Sequence, residues 1–375
     1  MDKITFTNYL NKYTKLMALY LNNKEDPNFD ISNEELAFFI KLSKHHSLMA
    51  FLYKAISEVR VKVDEDKIHK LEEYYLANLR KSVLFDKERK DIYAFFNENE
   101  IEFLPLKGII LKDYYLDPYT REFADNDILF VGKDKLIKNF FVNRGYEVES
   151  FRKSNHDVYL KKPFFNFEIH RDLFDETEDN AKSVKYFKDY LAKAPVKENH
   201  EHYLSNEDFY IYFLAHTYKH YHVSGCGLRT LVDIYLYLKK EQLDFAYINK
   251  ELEKLDLVEF SKEIIDLSFA LFDEKELNEE QNDMLLYIAS SGTYGTLEHS
   301  VKKGVKEKGK FGYAMKRVFP PYSFYKNTYK WAYKVPILIP IAWLCRFFRI
   351  LFKNPKKATK ELKMISEVKE EETTK

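Results

Sequence analysis

The sequence predicts an α+β protein, a small mixed sheet flanked by helical regions on its N-terminal and C-terminal sides. Three observations carry that expectation. Glycine and proline number 10 each in 375 residues, well under the average usage of about 7% and 5%, so long elements with few tight turns are expected. Apolar residues recur at helical spacing through the first hundred positions and again beyond residue 206. Between these regions the texture changes to brief apolar runs bounded by turn residues, which reads as strands.

From about Asn8 to Glu100 the pattern is helical. Leu36, Phe39 and Ile40 share one face, as do Leu48, Phe51 and Leu52, with the polar run Ser43 to His46 expected to separate the two groups. Residues 64–97 read as one long amphipathic helix with Leu71, Tyr74, Tyr75, Leu79, Val83 and Leu84 on its apolar side. Residues 101–106 form a short strand, and Lys107-Gly108 turns it into a brief helix that Asp117-Pro118 ends. The run 127–131 is a buried strand, followed by a helix over 133–143 that Gly145 caps. Strands are expected over 146–151, 157–161 and 164–170, and helices return from Asn206 to about Leu297.

Charge and cysteine content narrow the function classes. Lys+Arg and Asp+Glu are both 60, so no global basic excess favours a long nucleic acid, and a small or local substrate is expected. Cys226 and Cys345 are too few and too distant for a disulfide framework or a zinc cluster. A reducing, cytoplasmic setting follows, and the N-terminal residues carry no apolar run of secretory length. Aromatic residues make up 17% of the chain, which we assign to core and half-buried surface rather than to base stacking. Val131-Gly132-Lys133 lacks the first glycine and the hydroxyl of a P-loop, and no Gly-x-Gly-x-x-Gly occurs.

The chemistry concentrates in three stretches. Leu106-Lys107-Gly108 comes first, then Arg121 through Phe130, then Phe167-Glu168-Ile169-His170. Asp125 and Asp127 stand two apart at the mouth of a strand, so their side chains point to one face. Carboxylates brought together repel unless a cation lies between them, and hard oxygen ligands suit Mg²⁺ bound with phosphates. Glu168, on a later strand, would complete the metal set and accept a proton. Such a site performs in-line displacement at phosphorus. Gly108 lets backbone N–H groups approach a triphosphate and Lys107 adds a point charge.

In these residues the chain resembles a largely uncharacterised bacterial nucleotidyltransferase family of the polymerase-β superfamily. Leu106-Lys107-Gly108 to Phe130 is similar to its motif, and Glu168 to His170 is similar to its acidic residue followed by a histidine. The resemblance extends to residues 228–234 and the proline-containing C-terminal segment. It implies a polymerase-β-type core, with Asp125, Asp127 and Glu168 as metal-site acids and Mg²⁺ (or Mn²⁺) as cofactor. Lys107 and Gly108 would hold phosphate in place of the superfamily's usual Gly-Ser. It also implies an NTP substrate, an acceptor that the motif does not identify, and a setting in surface-polysaccharide metabolism.

Further residues extend the expected site. Arg121 is expected to neutralise phosphate, and His170 to orient Glu168 or touch a phosphate. His216 and His220, four apart on a helix, are expected to face the cleft and reach the nucleotide. Thr217 stands where a zincin would carry glutamate, so a zinc protease is not expected. Arg229 and Asp233 are expected to pair along one helix. Residues 335–352 are too interrupted by Arg346 to cross a bilayer, which needs ~20 apolar residues. They suit an amphipathic helix lying on a membrane or docked on protein, which would place the protein at the inner face of the membrane.

The expected organisation is a helical region at 1–98, the nucleotidyltransferase core at 99–185, a helical domain at 186–310, a basic and aromatic segment with its amphipathic helix at 311–352, and a charged, disordered tail at 353–375. Two other functions fit the acids: an Asp-x-Asp glycosyltransferase with a nucleotide-sugar, and a non-catalytic nucleotide-sensing or protein-interaction module. The helical residues ahead of the acids argue against the first, where nucleotide-binding strands would be needed. The intact acidic trio argues against the second.

Overall fold

Capping residues set the first helices. In the computed structural model, which describes residues 2–177, 180–292, 297–353 and 355–367, Asp2 accepts the Thr5 N–H and starts α1 (Lys3–Leu21). Ser32 and Glu35 form a reciprocal capping box at the start of α2 (Asn33–His46). The polar run Ser43 to His46 does not separate two helices as expected. It completes α2, and the break falls at Ser47, whose φ of 54° is left-handed. Ser43 and His46 are buried because each finds a partner: the Ser43 and Tyr13 hydroxyls lie 2.7 Å apart, and His46 bonds the Ala289 carbonyl at 3.0 Å. The next helix, α3 (Met49–Glu58), packs on α1, and Asp64 caps α4 (Glu65–Glu98), the long helix the pattern predicts.

The sheet follows. β1 (Phe103–Pro105) leads through α5 (Gly108–Leu111) and two 3-10 turns to β2 (Asn126–Phe130). Then come α6 (Asp134–Asn143), β3 (Glu147–Ser150), β4 (His156–Lys161) and β5 (Phe165–His170). Short helices α7 (Ala181–Tyr186) and α8 (Tyr190–Lys193) precede β6 (Val196–Glu198) and β7 (Glu201–His202). The 7-stranded sheet runs β3-β4-β5-β2-β1-β7-β6. It is mixed: β2 lies parallel to β5 and β1 parallel to β7, while the other neighbours are antiparallel. The edge pair β6 and β7 is too short and polar to be read from its pattern.

Alternation along the strands assigns the two faces. Phe103, Ile128, Phe130, Phe167 and Ile169 enter one core with Phe85, Ile92 and Phe96 of α4 and Phe141 of α6. Leu104 and Leu129 point the other way, into a larger helical core. That core is built by α1–α3 together with α9 (Asn206–Val223), α10 (Leu228–Lys240), α11 (Phe245–Glu253), α12 (Val258–Phe272) and α13 (Glu279–Ser291). The architecture is α+β, a mixed sheet flanked by helices.

The C-terminal segment carries α14 (Leu297–Val318), kinked at Gly309, then α15 (Tyr322–Thr328), α16 (Lys330–Lys334), α17 (Ile339–Lys353) and α18 (Pro355–Glu367). The expected disordered tail is therefore helical over 355–367. It is held because Glu361, although charged, is buried: Arg317 donates to it at 2.6 and 2.7 Å and the Tyr313 hydroxyl at 3.0 Å. Residues 368–375 lie outside the described residues. Among the described residues no helix is long and apolar enough to cross a membrane.

Candidate active site

The same alternation that buries Ile128 and Phe130 turns Asp127 toward the opposite face of the sheet. β2 and β5 pair in parallel with Asp127 directly opposite Glu168, and on the antiparallel side His156 stands opposite His170. Asp127, Glu168, His170 and His156 thus share one face. Asp125, half-buried, precedes β2 by one residue. These groups open into a cavity of about 330 Å³ whose far wall comes from α9 and α10.

Lys107 crosses the cavity. Its φ of 35° is left-handed and unusual for a lysine. Such backbone strain persists only where surrounding structure enforces it, and it clusters at working sites. The Lys107 ammonium lies 3.3 Å from Asp127 Oδ2 and donates to His216 Nε2 at 2.8 Å. His220 Nε2 is 3.3 Å from the same His216 nitrogen. Burial, then Lys107, hold His216 well below its ordinary pKa, and the same two causes bring His220 down to about 4. Both imidazoles are therefore neutral near pH 7.

The acids titrate apart. Burial alone would raise the Asp127 carboxyl, but Lys107 and the His170 Nε2–H, which donates to Oδ1 at 2.8 Å, outweigh it and hold Asp127 ionised. Burial and then the charge of Asp127 push Asp125 up. Burial, then Asp127 and Asp125, push Glu168 up to about 7. Three crowded carboxyls with excess negative charge form a donor set that a hard divalent cation fits. His156, Glu168 and His170 also offer ligand atoms within 4.8 Å of one another. His156 Nε2 lies 3.5 Å and His170 Nε2 3.8 Å from Glu168 Oε2.

Most of the expected residues meet here: Lys107, Gly108, Asp125, Asp127, Glu168, His170, His216 and His220 all line the cavity. Arg121 lines it too, but its guanidinium is committed elsewhere. It forms a bidentate pair with Asp233 at 2.8 Å on both arms, and the Tyr115 hydroxyl donates to the same carboxylate at 2.7 Å. The expected pairing of Arg229 with Asp233 is thereby replaced, since Asp233 is buried and turned toward Arg121. Arg229 instead donates to the Glu122 carbonyl and faces the cavity. Arg229, Lys219 and His156 are site residues that the sequence reading missed. His156 becomes legible only once the β4–β5 register places it opposite His170.

Paired carboxylates at a strand mouth, under a lysine-led turn and beside a third carboxylate on an α+β scaffold, are the arrangement that the sequence resemblance leads one to expect. The chain belongs to the family described as uncharacterised nucleotidyltransferases, which it matches over residues 32–273. That span runs from α2 to the end of α12 and contains the whole cavity wall described above. No curated protein and no solved structure gives a significant match. The family match supports nucleotidyl transfer in general terms.

Proposed function

We propose that the chain transfers a nucleoside monophosphate from an NTP to an acceptor hydroxyl or phosphate, using Mg²⁺ or Mn²⁺ held by Asp125, Asp127 and Glu168. The observation that carries this reading is the in-register placement of Asp127 opposite Glu168, beside Asp125, on one sheet face. When bound, the cation would acidify the acceptor hydroxyl and offset charge developing at phosphorus.

The protein's own groups do the rest. Lys107 holds a cation's worth of charge at the mouth of the acids, where phosphate oxygens would displace its contact with His216. Gly108 keeps the backbone open there, and Arg229 supplies a second positive charge across the cavity. Glu168 accepts the proton leaving the acceptor, and His170 keeps Asp127 oriented. His216 and His220, neutral, position Lys107 and face the nucleotide. Arg121 acts through the backbone, fixing the Gly108 turn by its hydrogen bond to the Gly108 carbonyl rather than by meeting phosphate. The acceptor belongs, on the resemblance, to surface-polysaccharide metabolism in the cytoplasm.

The test is pyrophosphate release from each of the four NTPs with Mg²⁺ or Mn²⁺ and a cell extract, comparing wild type with Asp127→Asn. Release that falls at least ~10²-fold in the variant supports the reading, the scale expected when a charge-stabilising group is lost. Release unchanged by the substitution, or none from any NTP, overturns it.

A further inference from the structure

The hairpin of β4 and β5 gathers two imidazoles around one carboxylate. His156 stands directly opposite His170 in the antiparallel pair, and Glu168 precedes His170 by two, on the same face of β5. The two imidazole rings lie 4.9 Å apart between centroids.

Both rings reach the same oxygen. His156 Nε2 lies 3.5 Å and His170 Nε2 3.8 Å from Glu168 Oε2, and His170 Nε2 lies 2.8 Å from Asp127 Oδ1. Bonds of about 2.0–2.2 Å to a transition ion set neighbouring donor atoms roughly 3–3.5 Å apart around one centre. The four atoms stand within a few tenths of an ångström of that spacing. Lys107 meets the other Asp127 oxygen, Oδ2, and so leaves Oδ1 to this side.

The surroundings prepare the nitrogens. Asn155 Nδ2 donates to the Asp172 carbonyl at 2.9 Å, which turns its Oδ1 toward His156, and the His156 Nδ1–H donates to it at 2.9 Å. That bond keeps the proton on Nδ1 and leaves the Nε2 lone pair facing Glu168, as outer partners do for imidazole ligands of metals. His170 Nδ1 is buried with no hydrogen-bond partner among the described residues. Nothing on that side fixes the proton to one nitrogen, so Nε2 is able to exchange its N–H contact with Asp127 for a cation. A second His–Glu–His group differs in kind. Glu102 meets His200 through Oε1 and His202 through Oε2, so those rings do not converge on a shared oxygen.

We propose that His156, Glu168 and His170, with Asp127 Oδ1 beside them, form a site for a Zn²⁺-class divalent ion, distinct from the oxygen-only position of Asp125, Asp127 and Glu168. Imidazole nitrogen suits Zn²⁺ and its neighbours in the transition series, whereas Mg²⁺ takes oxygen ligands. On binding, the Nε2 proton of His170 moves to Nδ1, so the imidazole stays neutral and no co-reactant is needed. Asp127 and Glu168 are shared with the oxygen-only position, and a cation between them relieves their repulsion before any nucleotide arrives. The inference rests on these side chains and not on the proposed reaction.

The test is calorimetric titration of Zn²⁺ into the full-length protein, freed of metal by a chelator, at pH 7.5 and without nucleotide. Wild type should bind Zn²⁺ at a single site, and a large excess of Mg²⁺ should not displace it. His156→Gln and His170→Gln should each weaken binding at least tenfold, and Asn155→Ala about tenfold through loss of the outer hydrogen bond. The double variant His200→Gln/His202→Gln should bind as wild type does. Thermal unfolding in chelator shows whether each variant folds. The His156 side chain is 25% exposed against 9% for His170, so His156→Gln decides the matter if His170→Gln does not fold. No binding, affinity unchanged in His156→Gln, displacement by Mg²⁺, or loss only in the His200/His202 double variant overturns the proposal. Pyrophosphate release with Mg²⁺ reports separately on the reaction.

Discussion

Arg121 and Asp233 illustrate how a charge can be near a site without meeting the substrate. Both side chains are almost fully buried, at 5% and 4% exposure. Burial alone would weaken the arginine's charge, but the Asp233 carboxylate outweighs it and holds the guanidinium protonated. Removing one partner strands the other as an uncompensated buried charge, which costs on the order of 3–5 kcal/mol. Asp233→Asn should therefore lower unfolding stability by about that much, read from urea denaturation. The pair also sets the size limit at Gly108. A Cβ there would lie 3.1 Å from Arg121 Nη1, and the bidentate bond leaves that nitrogen little room to retreat. Gly108→Ala should displace the Lys107 turn and cut pyrophosphate release by about tenfold or more, since small misplacements at a reacting centre are amplified in rate. Its thermal transition should move little, which separates a positioning defect from unfolding.

At the level of elements, the site depends on contacts that fasten the sheet to the N-terminal helices. α3 has no local capping side chain, and the Glu122 carboxylate supplies the missing acceptor from far along the chain. It accepts the Ala50 N–H at 3.0 Å and the Tyr74 hydroxyl at 2.8 Å, joining α3, α4 and the loop before β2. Glu122→Ala leaves a helix-end donor and a hydroxyl unpaired, a cost of about 1–3 kcal/mol, to be checked by thermal unfolding. A change confined to a few tenths would show that water replaces the carboxylate. Contacts of this kind explain what the sequence displayed and what it hid. The long helix α4 and the strands of the site follow from periods of 3.6 and 2, which neighbouring residues reveal. The face of α4 does not: Tyr74, Val83 and Leu84, expected on its apolar side, are exposed, and Phe85, Ile92 and Phe96 enter the core instead. Glu168 comes opposite Asp127 only through the β2–β5 register. The local i,i+4 rule offers Arg229 as the partner of Asp233, while burial and loop geometry deliver Arg121. The two-strand ribbon β6–β7 was missed because it is exposed and carries no apolar period. α18 reads as tail because its composition is charged, yet it packs on α14 through the buried Glu361 and through Met364 and Ile365, which lie against Val301, Val305 and Tyr313.

The molecule closes on itself through His46, which links the two helical regions that flank the sheet. Its Nε2–H donates to the Ala289 carbonyl of α13 at 3.0 Å, and its Nδ1 accepts the Leu228 N–H at the start of α10 at 3.1 Å. Both bonds need the neutral ring. Burial first, then the neighbouring His45 and, after it, Arg229, bring its pKa from 6.5 down to about 3, although the Ala289 carbonyl works the other way. The folded pKa is thus depressed below the unfolded one. Above pH 6.5 the ring is neutral in both states and its stabilising contacts are fully present. As pH falls below that value the unfolded chain takes up a proton that the folded chain refuses. Stability is then lost progressively until pH approaches 3. One pKa unit corresponds to about 1.4 kcal/mol, so between pH 7.5 and pH 5 this residue should cost on the order of 2 kcal/mol. Urea unfolding of wild type should show that loss in excess of the loss in His46→Gln, which cannot titrate. The variant should be the less stable protein at pH 7.5, because a glutamine amide cannot serve both partners with the imidazole's geometry. Its disadvantage should shrink as the pH is lowered. Parallel pH profiles for the two proteins would mean that His46 is protonated in the fold, and that another contact holds α2 against α10 and α13.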